Sequence, residues 1–246
     1  MRQKRSNRII MMNLKAVFVD IDNTLLSFDE YVRQTMKSGF EHFGLKPYEP
    51  YMYDVFEKEN NALWQKIEQG TLTFPQLQKV RWNLVFEKLE ISFDGPVFEK
   101  YFRKALHESA IEEPGAREML AYLKSKYLLC VASNGPYEQQ VHRLELADMG
   151  KYFDYVFVSE KIGVSKPARE FFETAFEQLN ENRTEKISPA ETMIIGDSLT
   201  SDMAGGLQYG MKTCYYRRNS ERAMPDQKMG RIDFVIDYLD QVADYI

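Results

Sequence analysis

Short apolar runs that end at turn residues recur along the chain from residue 15 onward. The runs that predict β-strands are residues 15–20 (KAVFVD), 127–133 (YLLCVAS), 155–160 (YVFVSE), 192–197 (TMIIGD), 212–217 (KTCYYR) and 233–238 (DFVIDY). Continuous apolar runs of this length are typical of strands that are buried on both faces of a sheet. The pattern therefore predicts a sheet with helices packed on both sides.

Amphipathic patterns with helical spacing alternate with these strands. The predicted helices are residues 137–148, 167–179 and 201–209. Pro167 suits a first helical turn, and Gly210 stands where helices often end. Alternating strands and helices indicate a doubly wound parallel sheet, which is a Rossmann-like α/β core. Ligands of such sheets bind at the carboxyl ends of the strands, near a switch in strand order.

Residues 28–110 interrupt this alternation because they show almost no strand pattern. Their apolar residues have helical spacing, with breaks near Pro47, Gly70 and Gly95. This predicts a bundle of roughly four helices inserted after the first strand. We therefore expect the following division of the chain: a core of residues 13–28 and 111–246, a helical cap of residues 29–110, and a tail of residues 1–12.

Composition and charge narrow the class of protein. The chain has 246 residues and a formal net charge of −5, which argues against nucleic acid as the main partner. Apolar runs stay shorter than the roughly 18 residues of a membrane span, and the N-terminus lacks the apolar segment of a secretory signal. We therefore expect no membrane partner and a cytoplasmic location. Cys130 and Cys214 lie in strand-like runs and are expected to be reduced core residues, and the three scattered histidines give almost no support for a histidine metal site.

Polar clusters follow four of the predicted strands or the loops after them. They are DIDNT at 20–24, SNG at 133–135, SKP at 165–167 and GDSLTSD at 196–202. Each pattern alone occurs by chance, but together they bring Asp20, Asp22 and Asp197 to one edge of the sheet. Carboxylates in one crevice repel each other, and a hard cation such as Mg²⁺ relieves that repulsion. Lys166 and backbone N–H groups near Ser133 would hold an anion there, so the combination indicates phosphoryl chemistry.

These four clusters, in this order, resemble the four motifs of the haloacid dehalogenase superfamily. Residues 141–175 are similar to its phosphatase branch, and the helical insert resembles the small α-helical cap of that branch. Within the branch, residues 60–89 and 152–160 look like the pyrimidine 5′-nucleotidases of the house-cleaning, YjjG type. The resemblance implies a Mg²⁺-dependent phosphatase with a small-molecule phosphate ester as substrate, most closely a nucleotide.

The resemblance also implies roles for individual residues. Asp20 corresponds to the nucleophile, which forms an aspartyl-phosphate. Asp22 corresponds to the general acid and base, and its backbone carbonyl to a Mg²⁺ ligand. Lys166 would neutralise charge on the nucleophile and the phosphate, and Asp197 would bind Mg²⁺. The implied substrate-binding residues are Thr24, Ser133, Asn134, Gly135 and Lys166.

Asp202 leaves two interpretations open, and Asn23 departs from the family pattern. Asp202 would orient Lys166 or a metal-bound water, or it would only cap the helix that follows. Asn23 replaces a glycine seen in many relatives, and asparagine tolerates the unusual backbone angles that such a position requires. In the cap, Trp64, Gln76 and Arg81 are candidates for substrate contacts. Arg81 is polar in an apolar stretch, so it either faces the active site or pairs with an acid of the cap.

The expected function is hydrolysis of nucleoside 5′-monophosphates, with a preference for pyrimidines. The alternatives are a phosphatase of small sugar or acid phosphates such as phosphoglycolate, a phosphomutase, and a phospho-acceptor regulatory protein without turnover. Asp22 argues against the regulatory protein, because a pure phospho-acceptor does not need an acid two residues after the nucleophile. It also argues against dehalogenation, in which family members lack that acid. The preferred base and the oligomeric state are not predicted.

Overall fold

A parallel sheet with its strands in doubly wound order forms the core. The structure is a computed structural model that describes residues 13–218, 220, 224–225 and 230–246. Its strands are β1 (Ala16–Val19), β2 (Leu128–Ser133), β3 (Tyr155–Val158), β4 (Thr192–Gly196), β5 (Lys212–Tyr216) and β6 (Phe234–Ile236). Their order is β3-β2-β1-β4-β5-β6, and every neighbouring pair is parallel. The strand order reverses at β1, so the carboxyl end of β1 is the switch point where a ligand is expected.

Helices pack on both faces of this sheet. The core helices are α5 (Ala116–Lys124), α6 (Tyr137–Leu146), α7 (Ser159–Ile162), α8 (Arg169–Asn180) and α9 (Ala204–Tyr209). Alternate β1 residues point to opposite faces: Val19 packs in the apolar cluster that contains Leu120 of α5, and Phe18 packs in the cluster with Phe172 of α8. Both clusters are buried, which confirms the predicted Rossmann-like α/β class.

Four helices inserted between β1 and α5 form a bundle with an apolar core of its own. They are α1 (Phe28–His42), α2 (Tyr51–Glu68), α3 (Phe74–Lys88) and α4 (Gly95–His107). The centre of this bundle is aromatic: Trp82 contacts Phe98 and Phe102 at ring-centroid distances of 4.3 and 5.2 Å. The number and position of these helices agree with the sequence pattern, while the exact division of the chain at residues 29 and 110 stays a prediction.

The structure differs from the predicted elements at several places: α5 was not predicted, and α9 begins at Ala204 instead of residue 201. Two further differences lie near the ends of strands. The helix expected from residue 167 begins at Arg169. Its start is delayed because Lys166 is held through its backbone: its N–H donates to Asn134 Oδ1 (2.9 Å), and its carbonyl accepts from Asn134 Nδ2 (3.0 Å). The strand expected to reach residue 160 ends at Val158, and the chain turns directly into α7.

The remaining regular segments are short. A π-helical turn (Leu199–Met203) precedes α9, and Gly210 follows α9 in the left-handed conformation, as predicted for a helix end. Short 3₁₀ segments are Gly150–Tyr152, Pro189–Glu191 and Leu239–Asp244. The predicted tail of residues 1–12 lies outside the described residues. In the part of the chain that is described, every helix is too short or too polar to cross a bilayer.

Candidate active site

The loop after β1 carries the two aspartates predicted for catalysis. Asp20 continues the β1 ladder, since its N–H donates to the carbonyl of Ile195 (3.0 Å), and its side chain is buried. The loop then turns sharply at Asn23, which has a φ of 60°. Asparagine tolerates this left-handed conformation better than most residues, so it suits this position of the loop. Asp22 lies within this turn and is partly exposed.

Lys166 lies at the centre of the site and binds the carboxylates of two different loops. Its ammonium is 1% exposed and donates to Asp20 Oδ1 (2.9 Å), Asp202 Oδ1 (2.6 Å) and the carbonyl of Ala132. Burial alone would lower the pKa of Lys166, but the two carboxylates raise it, so Lys166 carries its charge. One buried cation therefore joins the carboxyl ends of β1, β2 and β4.

Asp20, Asp197 and Asp202 form a compact group of carboxylates at the ends of β1 and β4. One oxygen from each lies within 4.8 Å of the others. Burial raises the pKa of Asp20 well above its ordinary value; Lys166 opposes this, and the charges of Asp202 and Asp197 add to it. Several oxygen donors that repel one another fit a hard divalent cation. This acidic group is the candidate metal site of the chain.

Asp202 has both of its oxygens occupied by protein donors. Oδ1 binds Lys166, and Oδ2 accepts from the N–H of Ser198 (3.1 Å). A Cβ at Gly196 would lie 2.2 Å from Asp202 Oδ2, so only glycine at the end of β4 leaves room for this carboxylate. The arrangement favours orientation of Lys166 over direct metal binding, and it goes beyond simple capping of the following turn.

The SNG segment after β2 faces the same site through Ser133 and Asn134. Both residues line the cavity above Asp20, and Asn134 holds the Lys166 backbone as described above. Gly135 lies beside a neighbouring groove instead, and its N–H donates to Ser159 Oγ (2.9 Å). Among the predicted substrate-binding residues of this segment, the structure brings two of three to the cavity.

Thr24 differs from its predicted position. Its side chain is fully buried, does not line the cavity, and has no hydrogen-bond partner for Oγ1 among the described residues. The loop is held instead by Asn23, whose side chain exchanges two hydrogen bonds with Asp29 (2.9 and 3.0 Å). In this conformation Thr24 is not accessible to a substrate.

A buried arginine outside all four motifs contacts both chain segments that connect the core with the cap. Arg218 pairs with Asp29 in the first turn of α1, with Glu113 before α5 (2.8 Å), and with Ser27 Oγ (3.2 Å). The chain enters the cap through Ser27 and returns through the segment that contains Glu113. The sequence provided no motif for Arg218; only the strand β5 before it indicated that it lies near the site edge.

The side chain of Asp22 is held by two residues of α6 that sequence reasoning missed. Arg143 Nη1 donates to Asp22 Oδ1 (2.7 Å), and Gln140 Nε2 donates to Asp22 Oδ2 (2.8 Å). Gln140 also donates to Ser133 Oγ (2.8 Å). The two residues are three positions apart, which places both on one face of α6. This spacing is the only feature of the sequence that indicates a shared contact.

A cavity of about 620 Å³ separates these core residues from the cap. Its cap side is formed mainly by α2, with Glu57, Asn60, Asn61, Trp64, Gln65 and Glu68. Glu68 lines both this cavity and the neighbouring groove; Thr200 hydrogen-bonds its carboxylate, and burial raises its pKa. A second groove of about 730 Å³ continues from Trp64 toward Phe74 and Gly135.

Two of the three cap candidates lie away from this cavity. Arg81 is buried in the bundle, where it forms a bidentate pair with Glu99 (2.7 and 3.1 Å) and donates to Asn60 Oδ1 (3.1 Å). Gln76 forms a capping box with Thr73 at the start of α3. Of the predicted contacts, only Trp64 lines the space above Asp20.

A histidine cluster near the return from the cap was not expected from the sequence. Donor atoms of His107, Glu108 and His142 lie within 4.8 Å of one another. The two imidazoles are stacked, with centroids 4.0 Å apart and planes 13° apart. In nearly parallel rings the nitrogen lone pairs run side by side and do not converge, so this geometry is that of a packed pair of rings and not of a metal centre.

The family model for haloacid dehalogenase-like hydrolases matches residues 14–210. The chain therefore belongs to the haloacid dehalogenase-like hydrolase family, and the resemblance seen in its motifs is confirmed. It is a phosphoric monoester hydrolase. The prediction of an enzyme is thus confirmed, and the regulatory protein without turnover is not retained.

Several relatives align with almost the whole chain. The pyrimidine 5′-nucleotidase PynA of Streptococcus pneumoniae is 28% identical and covers 94% of this chain and 97% of its own. The pyrimidine 5′-nucleotidase YjjG of Escherichia coli is 29% identical and covers 81% and 84%. A glyceraldehyde 3-phosphate phosphatase of Pyrococcus furiosus is 26% identical and covers 96% and 94%.

Solved structures agree with the fold. A crystal structure of the HAD-hydrolase YfnB of Bacillus subtilis bound to magnesium, which reveals interdomain movement, has a TM-score of 0.82. It is 26% identical and covers 94% of this chain and 97% of its own. An L-2-haloacid dehalogenase of Xanthobacter autotrophicus has a TM-score of 0.74 at 17% identity, over 94% and 97%, and shares the fold.

Proposed function

We propose that the protein is a magnesium-dependent nucleoside 5′-monophosphate phosphatase that favours pyrimidines. The observation that carries this proposal is the cavity that has Asp20 and Lys166 on the core side and Trp64 on the cap side. Such a space suits a ligand with a phosphate at one end and an aromatic base at the other. The two pyrimidine 5′-nucleotidase relatives support the same substrate class.

The reaction proceeds in two steps on two aspartates. Asp20 attacks phosphorus, the bond from phosphorus to the ester oxygen breaks, and Asp22 gives its proton to the departing oxygen, which leaves as an alcohol. Water then attacks the aspartyl-phosphate and gives a proton to Asp22. This releases inorganic phosphate and regenerates the Asp20 carboxylate. Lys166 offsets negative charge beside Asp20 in both steps.

The acidic group would hold Mg²⁺ through Asp20, Asp197 and the backbone carbonyl of Asp22. When bound, the ion offsets negative charge on the carboxylates and the phosphate. Asp202 keeps Lys166 in place, since both of its oxygens are already used by protein donors. Magnesium in the structure of YfnB supports this choice of cation.

Substrate selection is assigned to the cap, because the core residues bind only phosphate and metal. Ser133 and Asn134 would bind phosphate oxygens, and Gly135 would shape the same loop. Trp64 offers an aromatic face to a base, and the amides of Asn61 and its neighbours on α2 offer hydrogen bonds to base edges. A pyrimidine presents one ring to the space between Trp64 and the core, whereas a purine adds a second ring.

The proposal is tested by kcat/KM for a panel of phosphate esters with Mg²⁺. Pyrimidine 5′-monophosphates should exceed purine nucleotides and sugar phosphates. Asp20→Asn should abolish turnover and the covalent phosphoprotein. Trp64→Leu should lower kcat/KM for uridine 5′-monophosphate much more than for p-nitrophenyl phosphate, and Tyr51→Leu, an exposed position of the same helix, should change neither. Near-normal activity of the Asp20→Asn enzyme would exclude the assigned nucleophile.

A second candidate is a phosphatase of small sugar or acid phosphates, which the glyceraldehyde 3-phosphate phosphatase relative supports. If glyceraldehyde 3-phosphate or phosphoglycolate exceeds every nucleotide in the panel, the nucleotidase proposal fails and the phosphatase class remains. A phosphomutase would instead transfer the phosphate to a second sugar hydroxyl, with little release of inorganic phosphate. The cytoplasmic location stays a prediction.

A further inference from the structure

Both carboxylate oxygens of Asp22 accept hydrogen bonds from protein donors. Arg143 binds Oδ1 at 2.7 Å, and Gln140 binds Oδ2 at 2.8 Å. Arg143 is 0% exposed, although the Asp22 side chain is 32% exposed. A buried arginine that reaches a partly exposed acid in this way defines the plane and direction of the carboxyl group, because a guanidinium is rigid and its donors have fixed directions.

The orientation of Gln140 is itself determined by its neighbours. Its Oε1 accepts from Arg143 Nη1 (3.0 Å), so its Nε2 must point to the other side, where it donates to both Asp22 and Ser133. A flipped amide would bring two donors together at Arg143. The acid and a predicted phosphate-binding hydroxyl therefore share one donor of fixed direction.

Arg143 is anchored on the segment by which the chain returns from the cap. Its Nε donates to the carbonyl of Ser109 (3.1 Å), which lies between the end of α4 and the start of α5. Its Nη2 is buried and has no partner among the residues described. A buried unpaired donor is unfavourable, so hydrogen bonding of the guanidinium by itself does not explain this position. In this position the guanidinium of Arg143 contacts Asp22 and Ser109 at the same time.

We propose that Arg143 and Gln140 are a positioning pair that sets the direction of the Asp22 carboxyl group. Through Arg143, which also bonds the carbonyl of Ser109, the pair links this carboxyl group to the segment by which the chain returns from the cap. The proposal rests on the role of Asp22 given above. It predicts that loss of the pair slows the steps in which Asp22 moves a proton. Hydrolysis of the phospho-enzyme is common to all substrates, so the leaving group matters only in the first step. Protonation in that step matters most for an alkyl ester, whose alkoxide needs it, and least for p-nitrophenyl phosphate, whose leaving group does not.

The test is Arg143→Lys, because lysine keeps the charge but cannot reach Asp22 and Ser109 through two nitrogens of one rigid group. For the best alkyl phosphate of the substrate panel, the rate of alcohol release in a single turnover with enzyme in excess should fall about 10- to 100-fold, which is a part of the ~10²–10⁴-fold that general acid–base catalysis contributes. The single-turnover release of p-nitrophenol should fall at most about threefold, since less protonation is needed. Arg117→Lys is the matched control. Arg117 binds Glu112 of the same return segment and the carbonyl of Ala147 at the end of α6, and its substitution should change neither rate.

Asp22→Asn and the double variant Asp22→Asn/Arg143→Lys complete a cycle. If Arg143 acts through Asp22, its substitution should have no further effect once Asp22 is replaced. Equal losses on both substrates, or the same loss in the Asp22→Asn background, would overturn the proposal and leave Arg143 a structural residue. An Asp22→Asn enzyme with the same loss on both leaving groups would instead contradict the role of Asp22 itself.

Folding is checked separately for each variant by its thermal melting curve. If Arg143→Lys does not fold, Gln140→Leu gives the same test, because it removes the donor to Asp22 Oδ2 and keeps the volume of the side chain. Its losses should again depend on the leaving group. A folded Gln140→Leu enzyme without that dependence would overturn the assignment of the pair.

Discussion

Lys166 is the cation that joins the acidic loops of the site, and its replacement by methionine isolates that contribution. Methionine keeps an unbranched side chain but removes the ammonium. Asp20 and Asp202 lie 2.9 and 2.6 Å from that ammonium in the native protein. The Lys166→Met variant therefore leaves two buried carboxylates without their shared partner.

The expected loss of stability is large because the group is buried. Removal of one partner of a buried ion pair costs about 3–5 kcal/mol. For a chain of this length, 1 kcal/mol lowers Tm by roughly 2–4 °C, so Lys166→Met should lower Tm in chelator by roughly 6–20 °C. Mg²⁺ should reduce this difference, since it returns positive charge to the same carboxylates.

The sign of the pH dependence follows from Asp20. Burial already raises the pKa of this carboxyl, and the loss of Lys166, which opposes that shift, raises it further. A carboxyl with a raised pKa in the folded state contributes fully to stability when protonated and loses that contribution as pH rises through the folded pKa. The difference in Tm between the variant and the native protein should therefore be largest near about pH 8 and narrow toward about pH 5.

The assay is thermal unfolding followed by circular dichroism at fixed ionic strength, with EDTA or Mg²⁺. Lys124→Met is the control, because Lys124 pairs with Asp154 at 2.6 Å while 36% and 29% of the two side chains are exposed. Exposed pairs contribute about 0–1 kcal/mol. If Lys166→Met melts within about 2 °C of the native protein in EDTA at neutral pH, where about 6 °C or more is expected, the reasoning is refuted.

Three further predictions follow from the site and the core. Activity should vanish with chelator and return with Mg²⁺, while Ca²⁺ should inhibit because its coordination shell is larger and less regular; full turnover in excess chelator would contradict this. Gly196→Ala should lower kcat by at least about tenfold, because its Cβ would lie 2.2 Å from Asp202 Oδ2 and small displacements in a site are costly; Gly150→Ala, with open space around it, should not. Burial raises the pKa of both thiols, that of Cys214 to about 12, so neither Cys130 nor Cys214 should react with iodoacetamide near neutral pH until the protein is denatured, and mass spectrometry of the labelled protein checks this.

The sheet and most motif residues could be predicted because their signals are local. A short apolar strand followed by polar residues identifies a carboxyl end, and parallel strands bring such ends together whatever the sequence between them. Asp20, Asn134, Lys166 and Asp197 therefore lie where the sequence predicts, although nearly 180 residues separate the first from the last.

The partners of these residues could not be predicted, because they depend on side-chain packing between distant segments. Arg143 and Arg218 carry no motif, and an arginine in a helix or after a strand is ordinarily read as exposed. Thr24 is the reverse case, since a threonine next to two aspartates that end a strand is easily taken for a substrate ligand. Here it is fully buried, and the neighbouring Asn23 stabilises the loop.

The cap shows a further limit of hydrophobic patterns. Glu57, Asn61, Trp64 and Glu68 follow each other on α2 at intervals of four, three and four residues, so they lie on one helix face. A mostly polar face of this kind normally predicts contact with solvent. In this protein the same face lines the cavity opposite Asp20. A cap helix of this kind has two surfaces: one packs against the aromatic core of the bundle, and the other faces the site. The hydrophobic pattern identifies only the first of these surfaces. Arg81, the polar residue in the apolar stretch of α3, is already neutralised within the bundle by Glu99, so we propose that the polar face of α2 distinguishes one phosphate ester from another.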